Sequence, residues 1–187
     1  MSESKIRNAL EKTKTELISW YSSTTDTKEK EYARQHAEWT EEKAMKNKFI
    51  RRFKGTNRGD EVQRKRKFVY WTELGMNVGS ELCESHFCVV VKEFEKTAVV
   101  VPLSSKKEND SDSTWKTEGN GYFEIGYIND LPEEKRDSYA VISQIRTVSK
   151  KRLSSYKDPN TQKYLSLKLD STQMDIIDKA IIKTFTK

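Results

Sequence analysis

Glu81, Cys83, His86 and Cys88 crowd into one stretch, NVGSELCESHFCVVV at residues 77–91, of a chain with only two histidines and two cysteines. Three kinds of chemistry use such residues. A structural zinc ion takes four protein ligands. Cys83, His86 and Cys88 offer three at C-x-x-H-x-C spacing, and the other histidine, His36, falls in a predicted helix far away in sequence. No metal is expected here unless a carboxylate completes the set. A redox pair fits less well, because the spacing is not C-x-x-C beside a helix. Cys88, inside the apolar run HFCVVV, reads as a small buried hydrophobe, and Cys83 as a turn residue. Glu81 and His86 are left as a carboxylate and an imidazole on either side of a turn, a pair able to supply a base and an acid near neutral pH. The plainer role for a histidine at a strand start is a structural hydrogen bond.

The elements that must hold these residues divide the chain into two textures. Residues 1 to about 53 contain no Gly or Pro. Ile6, Leu10 and Leu17, then Tyr32, His36, Trp39, Phe49 and Phe53, recur at helical spacings. The Ser-Thr run in YSSTTDTKEK breaks this arm into two helices, with Asp26 or Thr27 as N-cap of the second. Packing against the body is the simplest role for the arm. FKGTNRGDEVQ at 53–63 reads as a linker around Gly55 and Gly59. The expected division is a helical extension over 1–55, a basic linker over 56–66 and a β domain over 67–187.

From Lys67 onward the pattern is of strands: FVYWTEL, HFCVVV, TAVVVPL, GYFEIGYI and SYAVISQIRTV are β-branched and aromatic, separated by turn-rich segments. Pro102 is placed at the end of its run, where a missing N–H is tolerated. KKENDSDSTWKTEGNG, residues 106–121, reads as a long polar loop. The chain closes on DSTQMDIIDKAIIKTF, with Asp170 as cap and Gln173 at the capping-box position. Met174, Ile177, Ile181 and Phe185 form one apolar stripe there. The expected class is mainly β with flanking helices, α+β, as a small barrel with an amphipathic helix docked on it.

Composition bounds the partners. Hydrophobic and charged residues each make up 34% of the 187, so the core is modest and much of the chain is solvated. No apolar stretch approaches the roughly 20 residues of a membrane span, and the N-terminus lacks the apolar core of a signal peptide. A cytoplasmic protein with reduced thiols and no membrane association is therefore expected. The net charge is +6, and eleven of the basic residues lie between Lys43 and Lys67, opposed only by Asp60 and Glu61. A block of that density favours a polyanion through counterion release, although a solvated helix face would carry the same charges.

The order of motifs from about residue 66 to 187 resembles the MazF/PemK family of toxin endoribonucleases. Trp71 and Glu73 sit in the first strand; Asn77, Gly79, Ser80 and Glu81 fill the family's N-x-G-S-E turn; Pro102, Leu103, Ser104 and Ser105 end a later strand. Gln144, Ile145, Arg146, Thr147, Lys150, Arg152 and Leu153 match its late Q-I-R-T signature. The resemblance implies an SH3-like barrel, usually dimeric. It also implies cleavage of single-stranded RNA without a metal or other cofactor, through attack of the ribose 2′-hydroxyl on the adjacent phosphate. A cognate antitoxin protein would block the RNA groove. The chain departs from the family at His86, which stands where Arg is usual, and at Phe87 in place of Pro. Ser104 replaces Thr, and Ser149 replaces the late Asp.

The chemistry survives those changes on paper. Such transfer needs a base, an acid and donors to the crowded phosphorane, and histidine gives up a proton at pH 7 far more readily than arginine. The expected catalytic set is Glu81 as base or orienting group, His86 as general acid and Ser104 as donor to a non-bridging oxygen. Asn77, Ser80, Ser105, Lys106, Gln144, Arg146 and Thr147 are expected to contact RNA, with Gln144 and Arg146 projecting from one face of a strand. The alternative is a barrel that binds nucleic acid or a protein partner without cutting. Inhibition of a protein target, as by the similarly folded CcdB toxins, fits the Glu-Ser turn and the Gln-Ile-Arg signature less well.

Overall fold

A computed structural model describes residues 3–52, 64–77, 79–107, 115–129, 131, 137–158 and 160–186, with backbone alone for 42 and 45–52. The chain divides into two compact units, Met1–Thr56 and Asn57–Lys187. The segment 53–63, read as a linker, lies outside the described residues, and with it Lys54 and Arg58 of the basic block.

The first unit is a helical hairpin of α1 (Glu3–Ser23) and α2 (Thr27–Arg52). The Ser-Thr run ends α1, and Asp26 starts α2: its carboxylate accepts the Lys28 N–H at 2.7 Å, and its own N–H donates to Thr24 Oγ1 at 3.1 Å. That exchange satisfies amide donors a helix start leaves orphaned. His36 sits edge-on between Trp20 and Trp39, with centroids 6.2 and 6.3 Å away, which makes it an aromatic packing residue. Leu10, Leu17 and Ile18 line an apolar groove with Ala37 and Ala44.

The second unit is an antiparallel eight-stranded sheet with one helix. Its strands are β1 (Phe68–Gly75), β2 (Glu84–Glu93), β3 (Thr97–Ser105), β4 (Tyr122–Tyr127), β5 (Asp137–Val141), β6 (Arg146–Ser149), β7 (Leu153–Ser154) and β8 (Leu167–Lys168), followed by α3 (Ser171–Phe185). The main order is β4-β5-β3-β2-β1-β7, with β6 also on β3 and β8 on β1. Alternation along the strands feeds two cores. Val69, Phe87, Val89, Val101, Leu103, Phe123, Ile125 and Ala140 pack on one side with Met174 and Ile177 of α3. Tyr70, Leu74, Cys88, Val90, Ala98, Val100, Val148 and Leu153 pack on the other. Burial on both faces explains why β2 reads as an unbroken apolar run. The mainly-β class with flanking helices is the one expected from the sequence.

Three local expectations are corrected. SYAVISQIRTV is not one strand: Ile142–Gln144 forms a single 3-10 turn between β5 and β6. β3 meets β6 along residues 97–100 and β5 along 103–105, so the turn falls where Val101 and Pro102 have no partner on that side. Pro102 is accordingly inside β3, opposite Cys88 of β2, at the level where the other ladder is already interrupted. Third, the stripe on α3 stops short. Met174 and Ile177 are buried and Ile181 is half-buried, while Phe185, the last residue of the helix, is 56% exposed. The capping box is formed: Asp170 accepts from the Gln173 N–H at 2.8 Å, and Gln173 Oε1 accepts from the Asp170 N–H at 3.0 Å. Gln173 Nε2 also donates to the carbonyls of Ile125 and Tyr127, which fastens the helix start to β4.

Candidate functional site

The turn after β1 is built to hold a fixed shape. Asn77 Nδ2 donates to the Leu82 carbonyl at 2.6 Å, and the Asn77 N–H points at Cys83 Sγ at 3.3 Å. The Cys83 thiol lies 3.4 Å from the Glu81 carbonyl, so this cysteine is a fastener of the turn. Leu82 packs against the second core. Ser80 and Glu81 ride on the outside, both exposed.

The late signature locks onto this turn. Gln144 Oε1 accepts the Leu82 N–H at 3.3 Å, and Gln144 Nε2 donates to the Ser80 carbonyl at 3.3 Å. The same Oε1 accepts from Arg146 Nη2 at 2.8 Å. One carboxamide thus joins the Glu81 turn to a guanidinium. The expectation of Gln144 and Arg146 side by side on a strand is corrected: Gln144 belongs to the 3-10 turn and Arg146 opens β6. The turn is what allows the Gln144 side chain to reach sideways instead of alternating with Arg146. Arg152, also in the signature, donates to the carbonyls of Glu73 and Leu74 at 3.4 and 3.3 Å, tying down the end of β1.

His86 lies two residues into β2, half-buried, opposite the buried Thr72. Its Nε2 is 2.8 Å from the Cys83 carbonyl. A carbonyl only accepts, so Nε2 carries a proton and Nδ1 is the nitrogen left to exchange one. Among the described residues no hydrogen bond or ion pair joins the Glu81 carboxylate to His86. Arg146 stands on the same face as Val148 by alternation, near enough to Cys88 for its charge to act on the thiol. Burial pushes Cys88 up to about 12, with a hydrogen bond from Thr72 and the Arg146 charge offsetting part of the effect. Cys88 is inert at neutral pH, as a buried hydrophobe should be.

Ser104 shares the face of His86 by alternation. The β2–β3 ladder ends at Cys88–Pro102, two residues short of both, and beyond it β3 pairs with β5, with Ser104 opposite Tyr139. Ser105 and Thr147 project to the other face, away from Ser104 and Arg146. Lys106 Nζ is 2.9 Å from Glu124, and that hydrogen bond raises its pKa. The cluster at the strand ends is therefore Asn77, Ser80, Glu81, His86, Gln144 and Arg146, with Ser104 at its border. Among the described residues no group of three or more His, Cys, Asp or Glu side chains is placed to hold a metal ion, and no helix is long and apolar enough to cross a membrane.

Sequence reasoning passed over Trp115, Lys116, Tyr122 and Tyr139. The first two sit in the segment read as a polar loop, of which 108–114 lie outside the described residues. The signal available was the aromatic and basic pair Trp115-Lys116 just before the strand GYFEIGYI.

Comparison with known proteins bears on this cluster. Residues 65–185 match the family described as PemK-like, MazF-like toxin of type II toxin-antitoxin system. Among solved structures the chain is similar to the crystal structure of MazF (Form-I) from Deinococcus radiodurans, at 8% identity and a TM-score of 0.43. That similarity covers 66% of this chain and 96% of that one. No curated protein matches. The family match takes in the locked turn, His86, Ser104 and the Gln144–Arg146 pair, over well more than half of the chain. The protein belongs to the PemK-like, MazF-like toxin family of type II toxin-antitoxin systems.

Proposed function

We propose that the chain is an endoribonuclease that cuts single-stranded RNA without a metal. The observation that supports this most is the Gln144 carboxamide, which fixes the Glu81 turn and the Arg146 guanidinium to one another. Preorganised charge of that kind is what phosphoryl transfer needs. In the reaction the ribose 2′-oxygen forms a bond to the neighbouring phosphorus and the bond to the 5′-oxygen breaks. The 2′-hydroxyl proton goes to the base, Glu81, and the departing 5′-oxygen takes a proton from His86 Nδ1. The products are a 2′,3′-cyclic phosphate and a 5′-hydroxyl. Arg146 balances charge on the phosphorane and Ser104 donates to a non-bridging oxygen, while Asn77, Ser80 and Gln144 keep the turn in place. Ser105, Lys106 and Thr147 belong at most to the flanking contacts, given where they point. The working form is a cytoplasmic homodimer held in check by a cognate antitoxin protein. The domain division proposed is an extension over 1–55, a linker over 56–66 and the toxin domain over 67–187.

The test is incubation with a long single-stranded RNA in EDTA. Glu81→Ala, His86→Ala and Arg146→Ala should each lower the cleavage rate by about 10²- to 10⁴-fold, the range for positioned acid–base and electrostatic groups. Unchanged cutting in the Glu81, His86 double variant would refute the assignment. One observation favours a second reading, a barrel that binds RNA without cutting it: no hydrogen bond joins Glu81 to His86 among the described residues. Salt-dependent binding with no turnover in the wild type would select that reading.

A further inference from the structure

Beside Ser104 the sheet carries an aromatic cluster with a lysine. Trp115 is 53% exposed and stands edge-on to Tyr122, with centroids 5.3 Å apart at 86°. Tyr122 in turn stands edge-on to Tyr139 at 6.3 Å, and Tyr139 is the cross-strand neighbour of Ser104. Lys116 Nζ lies 5.3 Å from the Trp115 ring centroid and 5.6 Å from that of Tyr139, and donates to the Ser105 carbonyl at 3.1 Å.

The cluster is rigidly attached to the site. Asn120 Nδ2 donates to the Trp115 carbonyl at 2.8 Å. The Gly121 carbonyl accepts the Ile142 N–H at 2.7 Å, and the Asn120 carbonyl accepts from the Ser143 hydroxyl at 3.1 Å. Gly121 has φ +81°, and a Cβ there would lie 2.6 Å from Ser143 Cβ, so only glycine allows the contact. The 142–144 turn that grips the Glu81 turn through Gln144 therefore also grips the turn that presents Trp115.

We infer that Trp115, backed by Tyr122 and with Lys116 beside it, is a stacking site for a nucleobase of the bound single strand. This rests on the RNA-cleaving reading above. Stacking on an aromatic ring next to a cation is how proteins hold single-stranded nucleic acid without reading its sequence. The strand order β2-β3-β5-β4 separates His86 from the Tyr122 strand by three strand spacings, about 14 Å. The site takes a base flanking the scissile bond, and it acts on binding, not on proton transfer.

The experiment uses the full chain and a labelled RNA oligonucleotide of about 12 nucleotides. It is 2′-O-methylated throughout, so that it lacks the attacking hydroxyl and reports binding alone. Trp115→Ala should weaken binding about tenfold, within the range for loss of one stacked base. Trp115→Phe should stay within about threefold of wild type, since a ring remains. The salt dependence should not change, because stacking neutralises no phosphate. Equal binding by the wild type and Trp115→Ala overturns the inference while leaving the nuclease standing, and assigns the aromatic cluster to a protein partner. Equal loss in Trp115→Ala and Trp115→Phe, with a lowered unfolding temperature in both, also overturns it, in favour of a structural role. Failure of the wild type to bind any single-stranded probe removes the RNA reading itself, and this inference with it.

Discussion

The two units of the chain are stabilised differently. In the sheet unit Cys88, Val89, Val90, Val100, Val101, Ala140, Ile142 and Ile177 have no exposed surface at all. In the helical hairpin the one described hydrophobic residue that is buried is Ala33. Leu10 is 59% exposed, and Ile6, Ile18 and Tyr32 are exposed as well. The hairpin is held instead by its Asp26 cap, its His36 packing and surface ion pairs such as Glu31–Arg34–Glu38. Pairs of that kind contribute little each. The hydrophobic stabilisation thus concentrates in the unit that carries the site, where the strand ends must hold a turn to within a hydrogen bond.

Three measurements sharpen or break that contrast. Ile177→Ala removes a side chain with no exposed surface between α3 and the sheet. It should lower the unfolding free energy by about 2–5 kcal/mol in denaturant titrations; a loss under about 1 kcal/mol would mean the core is loosely packed.

Next comes the alkaline limb. The Cys88 thiol sits at about 12 when folded against an ordinary value of 9.0. A raised folded pKa means that the unfolded chain gives up its proton first, so the stabilisation is complete below about pH 9 and drains as pH rises toward 12. At pH 10 the cost should be about 1–2 kcal/mol, and Cys88→Ala should flatten the alkaline slope. A slope identical in that variant would show the thiol to be less enclosed than it looks.

The smallest effect belongs to the hairpin. Leu10→Ala, at an exposed position, should change stability by less than about 0.5 kcal/mol. A loss as large as that of Ile177→Ala would erase the contrast and show that something covers this face in solution.

Much of the sheet was readable because strands and turns announce themselves locally. Alternating and β-branched runs marked all five major strands, and Asp170 with Gln173 marked the start of α3. Asp26 marked the start of α2 for the same reason, a short-range bond between a side chain and a nearby amide. What failed to show was the break in SYAVISQIRTV. Its composition is that of a strand throughout, and the reason for the 3-10 turn lies in β3, which changes partners at Val101 and Pro102 about forty residues earlier in the chain.

The candidate site follows the same division. Residue types and order named the Glu81 turn, His86, Ser104, Gln144 and Arg146, because a motif is a property of the chain itself. Two roles in the architecture were decided by long-range contacts, Gln144 as the clamp between turn and guanidinium and Arg152 as the anchor of β1, whereas Cys83 and His86 bond to groups within their own turn. The Gln144 and Arg152 contacts depend on backbone groups far off in sequence, whose positions no local pattern encodes. The sequence by itself determined which side chains could do chemistry and that the chain would build a mainly-β unit with helices. Only the tertiary structure decided which of those side chains meet, since a hydrogen bond spanning sixty residues exists only once the sheet has brought its ends together.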